Sequence, residues 1–374
     1  MTTEIAIDVH AIGSRAGGNE TYYDFLLTWL PRIGANGQRY VFYHTDKLAL
    51  VGRPATNERM KFKQIRPQNR FLRIPISFPI ALWRDKPDLF HAQYILPPFR
   101  RYKTVVSIFD LAHEHFPEFF HPVEGLRARL LVPGSARKAD HIVTLSEYSA
   151  EDIAKTYDIN PEKISVTYLA ADDDFFPRDK YSCRAHIKLK YGIGDPFILY
   201  VGRLQGRKNL VRLLEAYAQV QREGVAEKLV IAGKKDWMYE QIADRVSKLK
   251  LDSDVIFTGY VSREDLPIFY NAAEVFVFPS IFEGFGLPVI EAMACGTPVV
   301  TSFGSSLQEV AGDAALLVDP LSVESLENAL RRLLGNVELK RTLGEKGLRR
   351  SKEFSFQKAA AQTASIYERV LGGC

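Results

Sequence analysis

The chain has 374 residues, 46% hydrophobic and 25% charged, with a formal net charge of +4. That length suits two domains, each able to bury its own core, and the composition is ordinary for a soluble globular protein. No run of about 20 apolar residues is present to span a bilayer, and the mild charge gives no reason to expect a nucleic-acid partner. Cys183, Cys295 and Cys374 have neither disulfide nor metal-ligand spacing, which points to a reducing compartment. The opening MTTEIAIDVHAIG has no basic region followed by a long apolar run, so no leader peptide is expected and the location reads as cytoplasmic.

Residues 4–9 read as a first strand, followed by a Gly-rich stretch and a helical pattern over 21–30. Strand, glycines, helix is the order of a phosphate cradle, with Gly17, Gly18 and Asn19 at the helix entrance, although any tight turn uses a glycine pair. No G-x-G-x-x-G follows the strand, which argues against a dehydrogenase. A second strand covers 39–44. Residues 53–73 then hold seven basic residues and one acid, Glu58. Such a segment suits a solvated loop or an anionic partner such as a membrane surface or lipid pyrophosphate, so peripheral contact with the inner face of the membrane stays open. Apolar, Pro-rich sequence continues to 82, and strands follow near 89–91 and at 105–109, 142–145 and 164–168. Ser146 is a good N-cap for a helix starting at Glu147. Short apolar runs alternating with helical segments predict parallel sheets covered on both faces.

The polar, proline-broken DDDFFPRDK (172–180) suits a linker, and its acidic triplet is discounted as a metal site for that reason. The second half starts with a strand over 197–201. It runs into Gly202-Arg203-Leu204-Gln205-Gly206-Arg207-Lys208-Asn209 and a helix over 210–222. Arg203 and Lys208 just beyond a strand end could neutralise a diphosphate, Arg bidentately. Strands at 229–232 and 255–258 precede EVFVFPSIFEGFGLPVIEAMACGTPVV. There a strand (275–278) leads through Glu283-Gly284-Phe285-Gly286-Leu287 into a helix opened by Pro288. A Gly-rich turn from strand to helix leaves free N–H groups at a positive dipole end, an anion site suited to phosphate. Carboxylates at Glu283 and Glu291 do not bind phosphate but accept hydrogen bonds from hydroxyls, so the pattern suggests a ligand with both phosphate and sugar.

The Glu-x7-Glu pattern within FEGFGLPVIEAMACGTPVV, together with Gly-Arg-x4-Lys-Asn at 202–209, closely resembles the signature of family-4 retaining glycosyltransferases, the "glycosyl transferases group 1". The likeness extends through KPDLFHA (86–92), LSEYSAEDI (145–153) and SSLQEVAGDAALLVDP (305–320), and is strongest after Phe197. The resemblance implies an α/β GT-B fold, two Rossmann-like domains with parallel sheets facing a central cleft. Residues 1–172 would form the acceptor domain, rejoined by a C-terminal amphipathic helix (354–371), and residues 181–353 the donor domain. It also implies transfer of a sugar from a nucleotide-diphosphate sugar, GDP-mannose or a UDP-sugar, without a metal or other cofactor. The acceptor would be a glycan or lipid-linked acceptor in cell-envelope polysaccharide synthesis.

Site roles come with it. Arg203 and Lys208 would clamp the diphosphate with the backbone N–H groups of Phe285, Gly286 and Leu287. Glu283 would contact the donor sugar and Glu291 the ribose, the backbone around Val261 would line the base pocket, and Gly17 and Gly18 would face the cleft. The first half departs from the family in one place. Phe109 stands where members often carry a donor-contacting His, Asp110 matches as a cleft carboxylate, and His113 or His115 is left as a substitute. A catalytically silent nucleotide-sugar binder, a GT-B epimerase or a glycogen synthase-like polymerase would satisfy the same motifs.

Overall fold

The computed structural model describes residues 3–13, 17–34, 37–46, 59–98, 101–236 and 239–372, with the side chain of Arg70 excepted. The chain divides into two compact units. One comprises Met1–Leu111, Val123–Leu169 and Ser355–Cys374, and the other Ala112–Pro122 and Ala170–Phe354.

The first unit is a seven-stranded parallel sheet of β1 (Thr3–Asp8), β2 (Gln38–His44), β3 (Met60–Gln64), β4 (Leu89–Gln93), β5 (Lys103–Ser107), β6 (His141–Thr144) and β7 (Ile164–Val166). Their spatial order is β3-β2-β1-β4-β5-β6-β7. The central strands are apolar nearly throughout, as a sheet covered on both faces requires, and Ile5, Ala6, Ile7, Phe90, Val105 and Val106 are fully buried. β3 falls inside the basic segment 53–73, where the sequence reading placed no strand. Met60 pairs with Tyr40 and Phe62 with Phe42 while Lys61 and Lys63 alternate with them, the period-two pattern of an edge strand. The remainder of that segment up to Glu58 lies outside the described residues. Residues 70–85, to which the sequence assigned no element, are helical throughout, with a wider turn over Arg73–Ser77. Pro79 is tolerated because it sits in the first turn of the following helix, Phe78–Asp85.

Helix Phe356–Gly372 belongs to this unit. Ala359, Thr363, Ile366 and Val370 are buried along one side, and the Phe356 ring stacks on Phe25 at 5.2 Å. Tyr367 carries the hydroxyl of a buried polar chain. It meets His91 Nδ1 at 2.6 Å, His91 Nε2 meets Ser107 Oγ at 2.6 Å, and Ser107 donates to Tyr22 at 3.0 Å. Burial lowers the His91 pKa to about 3, so the ring is neutral and bonded at both nitrogens.

The second unit is a six-stranded parallel sheet of β8 (Phe197–Val201), β9 (Lys228–Ala232), β10 (Val255–Gly259), β11 (Val275–Phe278), β12 (Val299–Ser302) and β13 (Ala315–Val318). The order is β10-β9-β8-β11-β12-β13. Both sheets therefore run outward from a first strand and then reverse, which makes β8 and β11 the neighbours at the switch point of the second. Two boundaries differ from expectation. Residues 112–122, read as part of the first domain, belong to the second unit, where Phe116 and His115 lie 5.5 and 5.6 Å from the Phe282 ring. The supposed linker is fastened to that unit as well: Asp172 pairs with Arg263, and Asn271 binds the backbone of Arg178 and Phe176.

Candidate functional site

In the second unit the loops after β8 and β11 lie side by side because their strands do. Asn209 fixes them. It takes a left-handed backbone (φ 64°) that ends the short turn Gly206–Lys208, and its buried amide donates to the carbonyls of Pro279 (3.0 Å) and Pro320 (2.6 Å). Ile281 N–H donates to the Arg207 carbonyl at 2.9 Å, tying one loop to the other. Gly286 is the turn into helix Leu287–Ala294 with φ +98°, and a Cβ there would stand 2.3 Å from Leu307 Cδ2. Glycine meets both demands, the backbone sign and the space. The Ser306 hydroxyl donates to the Glu283 carbonyl at 2.7 Å and holds the same loop from the far side.

Between these loops sits a buried charge cluster. The Glu283 carboxylate accepts from Arg207 Nη1 at 3.0 Å and from Lys208 Nζ, whose ammonium also lies 5.0 Å from the centre of the Phe278 ring. Burial pushes the Glu283 pKa up, but Arg207 and then Lys208 outweigh it and hold the group at about 2. The cluster carries two cations and one carboxylate, a net positive charge beside a helix N-terminus. That combination suits an anionic ligand. Arg207 is the partner that sequence reasoning passed over, since the motif spacing selects Arg203 and Lys208. Its only sequence signal was a second cation in the same turn.

Arg203 is placed differently. It is half-exposed, and its Nη2 pairs at 2.6 Å with Asp236, which also accepts from Gln205 at 2.6 Å. The expected clamp is thus split: Lys208 and Arg207 share Glu283, while Arg203 reaches toward the loop after β9. The strand ends on that side approach closely. The Gly202 carbonyl packs against Gly233, where a Cβ would stand 1.8 Å from it, and Gly233 N–H donates to the Gly259 carbonyl at 2.8 Å. Val261 follows, buried. Phe285 and Leu287 are also buried, with Phe285 edge-on to Phe354 at 5.7 Å, so their side chains serve packing and only their backbone can serve a ligand. Glu291 lies one turn into the helix and accepts from the Tyr270 hydroxyl at 2.8 Å. Burial raises its pKa to about 7, so it titrates near neutrality while Glu283 stays ionised.

Gly17, Gly18 and Asp110 belong to the first unit. Gly17 (φ 63°) caps helix Gly18–Ile33 with open space around both glycines. Asp110 is half-buried just beyond β5. The Phe109 ring is buried 4.7 Å from Tyr22 and 5.8 Å from Tyr94, so the departure from the family pattern fills an aromatic core. At the switch point of this sheet β1 ends in buried Asp8, whose carboxylate oxygens are both 2.9 Å from His10 Nδ1. This pair had no motif to announce it.

Doubly wound parallel sheets with a cationic, glycine-turned candidate site at the second sheet's switch point define an open α/β protein of the kind that takes ligands at its strand ends. The profile of "Glycosyl transferases group 1" matches residues 185–350 and that of "Glycosyltransferase Family 4" residues 16–175. O-antigen chain mannosyltransferase B of Escherichia coli is 32% identical over 289 residues, 76% of this chain and 75% of that protein. Among solved structures, sucrose-phosphate synthase from Thermosynechococcus elongatus superposes with a TM-score of 0.80 at 23% identity over 100% of both chains. Anabaena Alr3699/HepE in complex with UDP and glucose superposes with a TM-score of 0.77 at 18% identity over 98% of this chain and 99% of that one. The fold is GT-B, and the chain belongs to the group 1 glycosyltransferases.

Proposed function

We propose that the protein is a retaining hexosyltransferase that moves mannose from GDP-mannose to a glycan or lipid-linked acceptor in envelope polysaccharide synthesis. The observation that carries the reading is the Arg207–Glu283–Lys208 cluster beside the Gly286 turn. Its cations meet the negative charge that develops on the departing nucleotide diphosphate, which is electrostatic stabilisation aimed at the leaving group. Arg203 adds a third cation from the start of the same loop. Ionised Glu283 accepts a hydrogen bond from a hydroxyl of the transferred sugar, and Glu291 accepts from the ribose. The acceptor oxygen bonds to the anomeric carbon on the face from which the diphosphate leaves. The leaving oxygen takes the acceptor's proton, so configuration is retained and no protein nucleophile or metal enters. The choice of mannose and of a polysaccharide product follows the Escherichia coli relative. UDP-sugars are the competing donors, as in the Anabaena complex.

The test is incubation with GDP-mannose and a panel of UDP-sugars, with and without a mannosylated acceptor, followed by NMR of the product's anomeric signal. An α-linked mannoside from GDP-mannose is expected. A β-product overturns retention, transfer only from a UDP-sugar overturns the donor, and binding without transfer or donor hydrolysis leaves a silent nucleotide-sugar binder.

A further inference from the structure

The described part of the first unit leaves nine large apolar side chains exposed, and all nine lie on two helical stretches, residues 70–85 and helix Pro122–Lys138. In the second unit such residues are scattered from Phe176 to Val337. On the first stretch Leu72, Ile76, Ile80 and Trp83 recur at intervals of three or four, which lines them along one side. The opposite side is accounted for, since Phe78, Ala81 and Leu82 are buried in a core cluster with Ile65 and Phe90. On the second, Val123, Leu126 and Leu130 repeat the spacing, while Val132, Ser135 and Ala136 face inward. The two stripes adjoin, because the Arg127 guanidinium lies 5.6 Å from the centre of the Phe71 ring. Trp83 is 71% exposed and Leu130 68%. A monomer in water gains nothing by displaying them together.

The charge around these stripes is one-sided. Residues 66–86 contain five Arg and Lys with Asp85 as the single acid, and residues 122–138 contain four with Glu124 as the single acid. Arg66, Arg84, Arg129, Arg137 and Lys138 are exposed. A second copy of this face would oppose positive with positive, which a self-complementary pairing avoids. An anionic bilayer accepts both components: the apolar stripes enter the headgroup boundary and the cations stay at phosphate level, with Trp at the depth it favours. Among the described residues no helix is long and apolar enough to cross a membrane, so the contact would lie in the plane of the interface.

We propose that residues 70–85 and helix Pro122–Lys138 together form a docking face for an anionic phospholipid surface. It adds apolar anchors to the charge-based expectation for the basic segment at 53–73, which it overlaps at residues 70–73. The inference goes beyond the proposed reaction and is read without donor or acceptor. The experiment is co-sedimentation of the full chain with vesicles holding about one third anionic phospholipid, and with purely zwitterionic ones, at about 0.1 M salt. No lipid-linked sugar is present. Binding to the anionic vesicles is expected, with weakening at high salt. Ile80→Ser combined with Leu130→Ser should lower the partition coefficient about tenfold, while circular dichroism stays unchanged because both side chains are exposed. Brominated anionic lipids should quench Trp83 emission, and Trp83→Phe should remove that quenching. No binding to anionic vesicles, equal binding to zwitterionic ones, or an unaffected double variant would overturn the proposal. So would a concentration-dependent dimer that the double variant abolishes, which would assign the face to a second copy instead.

Discussion

Glu283→Gln removes the negative charge from between two cations without changing the shape of the side chain. In the folded protein the carboxyl is held at about 2 against an ordinary 4.5. A gap of roughly 2.5 units at about 1.4 kcal/mol each makes the ionised group worth about 3 kcal/mol to the second unit. The folded value is depressed, so the contribution is full above the unfolded pKa and is lost as pH falls from about 4.5 toward 2. The difference between wild type and variant should therefore be about 3 kcal/mol at pH 7, shrink to about 2 kcal/mol at pH 3.5 and vanish below about pH 2. Hydrogen exchange followed by mass spectrometry on peptides from β8 and β11 reads the opening free energy of this unit. Ligand binding should move the other way. Gln frees Arg207 and Lys208 from a competitor, so nucleotide-diphosphate affinity should hold or rise while sugar transfer falls. A stability difference under about 1 kcal/mol at pH 7, or one that is the same at pH 3.5, would mean that the cluster is screened by water, and the reasoning would fail.

Arg207→Ala and Lys208→Ala should each weaken nucleotide-diphosphate binding by tenfold or more, equivalent to about 1.5–3 kcal/mol for a charge-assisted hydrogen bond. Arg203→Ala should cost less, because Asp236 already engages it; titration calorimetry that ranks Arg203 above Arg207 would contradict the assignment. Glu291, raised to about 7, should release a proton when ribose hydroxyls bind its ionised form. Calorimetry near pH 7 in buffers of different ionisation enthalpy should detect that proton in the wild type and lose it in Glu291→Gln. Gly286→Ala should lower stability by about 2 kcal/mol, from the positive φ and the Leu307 contact together, seen as a lower thermal midpoint.

Much of the second unit was legible because its strands are short apolar runs ended by glycine, proline or serine. The limits of β8, β11 and helix Leu210–Arg222 were read as they stand in the structure. β3 was missed for a different reason. The alternation in Met60-Lys61-Phe62-Lys63 is a strand signal, but charge density pointed to a solvated loop, and only pairing with β2 shows which signal governs. Residues 70–85 were hidden by their prolines, which sequence reading treats as breakers and the fold accommodates at a wide turn and a helix start. Within the site, glycine and glutamate positions were legible because backbone sign and spacing constrain them. Side-chain partners were not: whether Arg203 or Arg207 meets Glu283 depends on the direction of one short turn, and the Asp8–His10 pair depends on a loop conformation. Phe109 was readable only as a departure, until Tyr22 and Tyr94 supplied its neighbours.

The link between Tyr367 and His91 spans 276 positions of chain. During synthesis, β1 to β7 emerge first and wait with the His91 ring and the inner side of helix Gly18–Ile33 uncovered. The whole second unit is made before the helix that covers them leaves the ribosome. The second unit can close on its own schedule, since all its strands lie between residues 197 and 318. The first unit is thus the earliest to be made and the last to be finished, and its exposed interval lengthens with everything inserted in between. Pausing or truncation before residue 356 would leave a folded second unit attached to an open sheet. Chaperones or proteases would meet this molecule at its oldest residues.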